Sequence, residues 1–148
     1  DGTVDEDRVR ALAAISNGQP TVFHRALDVT PDWRRALETL IRLRVTRVLT
    51  SGQAPSAFYA METIAEMIRF VDGAIEILPG AGINLRNAAR LIAETGCTQI
   101  HLSRHRKQLD PSTANNRDIF FGGALYPPED TYNIIDGDYV GEMRALIR

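Results

Sequence analysis

Four short runs of β-branched and large apolar residues punctuate the chain, at 21–25 (TVFHR), 47–51 (RVLTS), 74–78 (AIEIL) and 98–103 (TQIHLS). Each is bounded by Gly, Pro or Ser and predicts a strand. Between them the apolar positions recur every three to four residues, which predicts helices. One stripe runs Trp33, Leu37, Leu40 and Ile41; a second runs Phe58, Met61, Ile64, Ala65 and Ile68; a third runs Leu85, Ala88, Ala89 and Ile92. Thr30 before Pro31 predicts one helix start, while Asn84 opens and Gly96 closes the third stripe. An opening helix is expected over about 5–16, with Thr3-Val4-Asp5-Glu6 as its capping box. A closing helix is expected over about 139–147.

Strand–helix alternation implies a parallel α/β sheet, because parallel strands need crossover connections and helices supply them. The strands recur about every 25 residues, short even for the roughly 31 per unit of a (β/α)8 barrel. The chain therefore reads as a helix followed by four βα units. Residues 104–138 interrupt the last unit between strand and helix. The expected fold class is α/β of the TIM (β/α)8-barrel family, with residues 1–148 a single domain holding about half a barrel. Such a half would expose strand edges at 21–25 and 98–103, and a bare edge invites pairing with another chain.

Composition narrows the function classes. Among 148 residues, 44% are hydrophobic and 24% charged, close to globular averages. No apolar run approaches the roughly 18 residues of a membrane span. Seventeen Lys and Arg against nineteen Asp and Glu give a net charge of −2, which lacks the basic footprint of a nucleic-acid binder. The single cysteine, Cys97, forms no internal disulfide and fits a reducing compartment.

Polar residues cluster where strands end. His24, Arg25 and Asp28 stand at the carboxyl end of the first strand, where barrel enzymes keep their sites, and alternation sends Phe23 and Arg25 to one face and His24 to the other. Glu76 stands between Ile75 and Ile77, so alternation turns it away from the helices, and a carboxylate there needs a partner. Arg25 is the expected partner, with His101 nearby from the last strand; a strand-end or buried structural ion pair is the plainer alternative. Pro79-Gly80-Ala81-Gly82-Ile83-Asn84 follows a strand and opens a helix. Gly80, Gly82, Ile83 and Asn84, with Ser103, are candidates for holding a phosphate, sulfate or carboxylate on backbone N–H groups. An ordinary tight βα turn is the alternative, since Leu85 occupies the third glycine position of a dinucleotide fingerprint. The loop Thr50-Ser51-Gly52-Gln53-Ala54-Pro55-Ser56 is also rich in donors.

Three of these motifs, in order, resemble the CutC family of copper-homeostasis proteins: 21–28 (TVFHRALD), 47–54 (RVLTSGQA) and 76–83 (EILPGAGI). Residues 1–5 and Gln99-Ile100-His101 extend the resemblance to most of the chain, which is similar to the carboxyl-terminal half of the family's sequence. The resemblance implies a (β/α)8 barrel, a homo-oligomer, a cytoplasmic location and a link to copper binding or trafficking. Copper is thus an inference from the family alone, and no residue is assigned as a metal ligand. Cu(I) prefers thiolate and thioether donors, whereas this chain has one Cys and three Met without paired spacing. Two readings follow. One is a copper-homeostasis protein of the CutC type. The other is a barrel enzyme acting on a small phosphorylated or carboxylated metabolite, with Arg25, Glu76, His101, Asp28 and His24 as its polar site; the sequence leaves open whether the chain is an enzyme.

Overall fold

A computed structural model describes residues 1–120 and 129–147. Residues 121–128 of the expected insert lie outside the described residues. The chain divides into two compact units, 1–102 and 103–146, where the sequence reading treated it as one domain with an insert at 104–138.

The first unit contains α1 (Glu6–Ile15), β1 (Val22–Phe23), α2 (Trp33–Arg42), β2 (Arg47–Thr50), α3 (Met61–Val71), β3 (Glu76–Pro79) and α4 (Ala88–Thr95), with 3-10 turns at Arg25–Val29 and Ala57–Ala60. Its strands form a parallel sheet in the order β1-β2-β3, as the alternation predicts. The register aligns Val22 with Arg47 and Arg47 with Glu76 on one side; Phe23, Val48 and Ile77 alternate with them on the other. Val48 and Ile77 are buried and Phe23 packs against the same core, together with Leu27, Leu37, Leu40, Ile64, Met67 and Leu91 from the turns and helices. The apolar stripes therefore land where the 3.6-residue period puts them.

Three starting points differ from the sequence reading. Asp5, not Thr3, caps α1 by accepting from Arg8 N–H. Asp32, not Thr30, caps α2 by accepting from Arg34 and Arg35, because a carboxylate two residues past Thr30 takes the free donors of the first turn. The third difference is the fourth strand. Residues 98–103 form no ladder; His101 N–H donates to the Pro79 carbonyl at 2.8 Å, and the contact goes no further. Pro79 has no N–H to return a bond. At the other end of β3, an open cleft of about 580 Å³ is lined by Ala74, Ile75, Gly96, Cys97 and Thr98 among others, so the segment stands off from the strand there.

The second unit is an antiparallel ribbon, β4 (His105–Leu109) against β5 (Thr131–Ile135), followed by α5 (Gly137–Leu146). The antiparallel pairing involves none of the predicted parallel strands. Among the described residues, no helix is long and apolar enough to cross a membrane.

Candidate functional site

The polar residues after β1 and β2 meet in one cluster. Residues 25–29 coil into a 3-10 turn, capped by His24 Nδ1 accepting from Ala26 N–H, so the chain leaves the extended conformation immediately after His24. That turn brings Asp28 over the carboxyl end of β2. Its carboxylate, only 7% exposed, accepts from the Thr50 hydroxyl, from Ser51 N–H at 3.0 Å and from Gln53 N–H at 3.4 Å. Arg25 Nε donates to Asp28 Oδ2 at 2.8 Å, and Arg25 Nη2 donates to Ser51 Oγ at 2.7 Å. The Ser51 proton lies within reach of both Asp28 Oδ2 and the Ala54 carbonyl. Burial pushes the Asp28 carboxyl upward, but the hydrogen bonds from Thr50, Arg25 and Ser51 outweigh it and hold the group below the ordinary carboxylate range.

A carboxylate has about four lone-pair sites, and the donors around Asp28 fill them. None is left to take a proton from a substrate, so Asp28 is a positioning residue. Its oxygens also occupy the Ser51 and Gln53 N–H groups, two backbone donors of the 50–56 loop that could have held an outside anion.

Arg25 and Glu76 do not pair. Glu76 Oε2 instead takes Nε and Nη2 of Arg47, both at 2.6 Å. The reason is register: Arg47 stands directly beside Glu76 on the adjacent strand, whereas Arg25 would have to cross β2. The register also differs by one residue from an alternation that puts Phe23 and Arg25 with Glu76, since Val22, not Phe23, shares the Glu76 face. Arg47, Thr50, Ser51 and Gln53 are the participants that sequence reasoning left out of the site. The signal for Arg47 was present, an opposite charge at the equivalent position of the neighbouring strand.

The remaining candidates divide as follows. His101 packs over Gly80; a Cβ there would sit 3.3 Å from His101 Cβ and 2.7 Å from Leu49 Cδ1. His24 is exposed, with its ring 5.3 Å from that of Phe23. Gly82 adopts φ +72°, and a Cβ would come within 2.9 Å of Ser56 Cβ and closer still to its hydroxyl, so the glycine lets two loops touch. Asn84 does not present a free helix N-terminus. Its N–H donates to Asn87 Oδ1 at 2.8 Å while its own Oδ1 accepts from Arg86 N–H at 2.9 Å, and α4 proper begins at Ala88. The two asparagines thus hold the turn ahead of α4. Gly80 N–H is likewise committed, to the Thr50 carbonyl. The expected cradle over Gly80, Gly82, Ile83 and Asn84 thus loses two of its donors to the fold. Ser103 belongs to the second unit, where its hydroxyl meets His105 Nδ1 at 3.3 Å.

Soft metal donors are not gathered. Cys97 is buried beside the cleft at the amino ends of the strands, and burial pushes its thiol up despite hydrogen bonds involving Thr95 and its own backbone. Met67 and Met143 are buried, and Met61 packs against the core. Among the described residues, no group of three or more His, Cys, Asp or Glu could hold a metal ion.

Comparison with known proteins adds the lineage. The sequence profile of the CutC family matches residues 1–106. The chain belongs to the CutC family. A CutC family protein from Treponema denticola is 47% identical over the whole chain, which covers 59% of that relative. The human copper homeostasis protein cutC homolog is 33% identical, again over the whole chain, which covers 54% of it. A crystal structure of a CutC protein from Streptococcus agalactiae superposes with a TM-score of 0.64 at 29% identity, over 68% of this chain and 50% of that one. The chain therefore spans little more than half the length of these CutC relatives, which bears out the resemblance to the family's carboxyl-terminal portion.

Proposed function

We propose that this chain serves copper homeostasis as the carboxyl-terminal portion of a CutC-type (β/α)8 barrel, working in the cytoplasm as a homo-oligomer that binds or hands on copper. The observation that supports this reading is the alignment of the entire chain with proteins named for copper homeostasis, in human and mouse alike. The parallel β1-β2-β3 sheet with its intervening helices is the βα repeat a barrel requires. The donor chemistry sets a condition on the copper reading. Cys97 and Met67 are buried, so these soft atoms do not offer an open Cu(I) site. A Cu(I) titration of the full-length protein, followed by native mass spectrometry, tests the proposal. Stoichiometric Cu(I) that survives a competing chelator, unchanged by Cys97→Ser, is the expected result. A protein that retains no Cu(I) would overturn direct binding.

A further inference from the structure

We infer that the outer fork of the Arg25 guanidinium, formed by Nη1 and Nη2, is a binding site for a small oxyanion, a phosphate or carboxylate group. This goes beyond copper homeostasis and does not rest on it. A guanidinium presents five N–H groups in a rigid plane. Nε and one hydrogen of Nη2 lie along the same side of that plane, and Asp28 Oδ2 and Ser51 Oγ take them at 2.8 and 2.7 Å. These bonds fix the side chain and leave the end-on fork, whose two parallel N–H vectors match the spacing of two oxygens on one phosphate or carboxylate. Among the described residues Arg25 has no further partner, and its side chain is 45% exposed.

Two features favour an anion at this arginine over one at an ordinary surface arginine. The first is prior ordering. A free arginine loses rotamer freedom on binding, but here the two side-on bonds have already fixed the plane. The second is charge. The Asp28 carboxylate also accepts from Thr50, Ser51 and Gln53, so its charge faces those donors and the side-on edge of the guanidinium rather than the outer fork. The site lies at the carboxyl end of the parallel strands, the face on which open and closed α/β sheets bind ligands. In the two neighbouring loops, Ser51 and Gln53 N–H are taken by Asp28, and Gly80 and Asn84 N–H by Thr50 and Asn87.

Arginine-selective nitrogen NMR of the full-length protein, titrated with inorganic phosphate, with acetate, and with chloride at matched ionic strength, tests this. The Arg25 guanidinium signals should shift saturably with phosphate or acetate and not with chloride. The tighter of the two identifies the source chemistry. Arg25→Lys keeps the charge and removes the fork, so phosphate affinity, read by calorimetry in wild type and variant alike, should fall about tenfold or more. Ser51→Ala keeps the fork but removes one of the two side-on bonds that hold it, so affinity should weaken by about threefold while binding stays saturable. If a variant fails to fold, the wild-type titration still decides. Equal shifts in chloride, no shift with either anion, or a folded Arg25→Lys protein binding phosphate like the wild type would overturn the inference.

Discussion

Asp28 illustrates how one side chain can be central to a cluster without doing chemistry. Its side chain is nearly enclosed, and it organises Thr50, Ser51, Gln53 and Arg25 around a single charge. Removing that charge should be costly. Asp28→Asn keeps the shape but sets an amide N–H₂ against donors, and should lower stability by about 2–4 kcal/mol at neutral pH, the range for breaking a buried charged network. The pH dependence carries a sign. Burial raises and hydrogen bonds lower the Asp28 ionisation, and the net shift is downward. A carboxyl depressed in the folded state contributes stability above its unfolded value, about 3.9, and loses it as pH falls through the folded value. Urea titrations of wild type and Asp28→Asn should therefore show a difference that is constant near pH 7 and shrinks below about pH 4. A difference that grew on acidification would show that Asp28 is not held as the anion. At this same scale the sequence exposed Arg25, Asp28 and His24 as a group, because ionisable residues at a strand end are unusual. It did not expose their partners, since a 3-10 turn at 25–29 redirects side chains that strand alternation would have sent elsewhere.

Elements were legible where periodicity is long and the core decides. The stripes of α2, α3 and α4 become buried faces, and three of four strand segments pair in parallel. Short-range details were less legible. Thr30 and Thr3 look like caps, yet Asp32 and Asp5 reach the free N–H groups better. The segment 98–103 alternates convincingly, but alternation predicts only that a strand fits; the ladder needs a neighbour with donors, and Pro79 supplies none. The glycine loop was legible as a close approach, though of loop to loop. Gly82 at φ +72° lies against Ser56, whose neighbour Ala57 donates its N–H to the Ala81 carbonyl at 3.1 Å. Gly82→Ala should cost about 1–3 kcal/mol, from both the left-handed backbone and the collision with Ser56. Ser56→Gly in the same chain should restore the steric part and leave roughly 1 kcal/mol of backbone strain. Thermal melts of the two single variants and the double variant measure that coupling. Purely additive losses would mean the loops do not constrain each other.

Taken as a whole molecule, the first unit leaves apolar surface where a sheet would continue. Val22 on β1 is 54% exposed, and on α1 Leu12 and Ile15 are 68% and 78% exposed. Val9, Leu12, Ala13, Val22, Phe23 and Val45 line a groove of about 290 Å³ between that helix and that strand. β1 pairs with β2 alone, so its outer edge has no strand partner among the described residues. No Lys, Arg, Asp or Glu lies within Val22–Phe23 to discourage pairing, and an edge without such a guard recruits another chain. CutC relatives are nearly twice as long as this chain, and a barrel would close that edge with further strands. For the 148-residue chain expressed by itself, a second copy is the cover expected for that edge. It should therefore elute as a dimer or larger species, with a concentration-dependent melting temperature. Val22→Lys places a charge on the exposed edge at little cost to the core, and should shift the population toward monomer. Size-exclusion chromatography with light scattering, across about a hundredfold range of concentration, reads both effects. A wild-type monomer with a single cooperative melt would show that the groove is satisfied within one chain, and the edge would then need no partner.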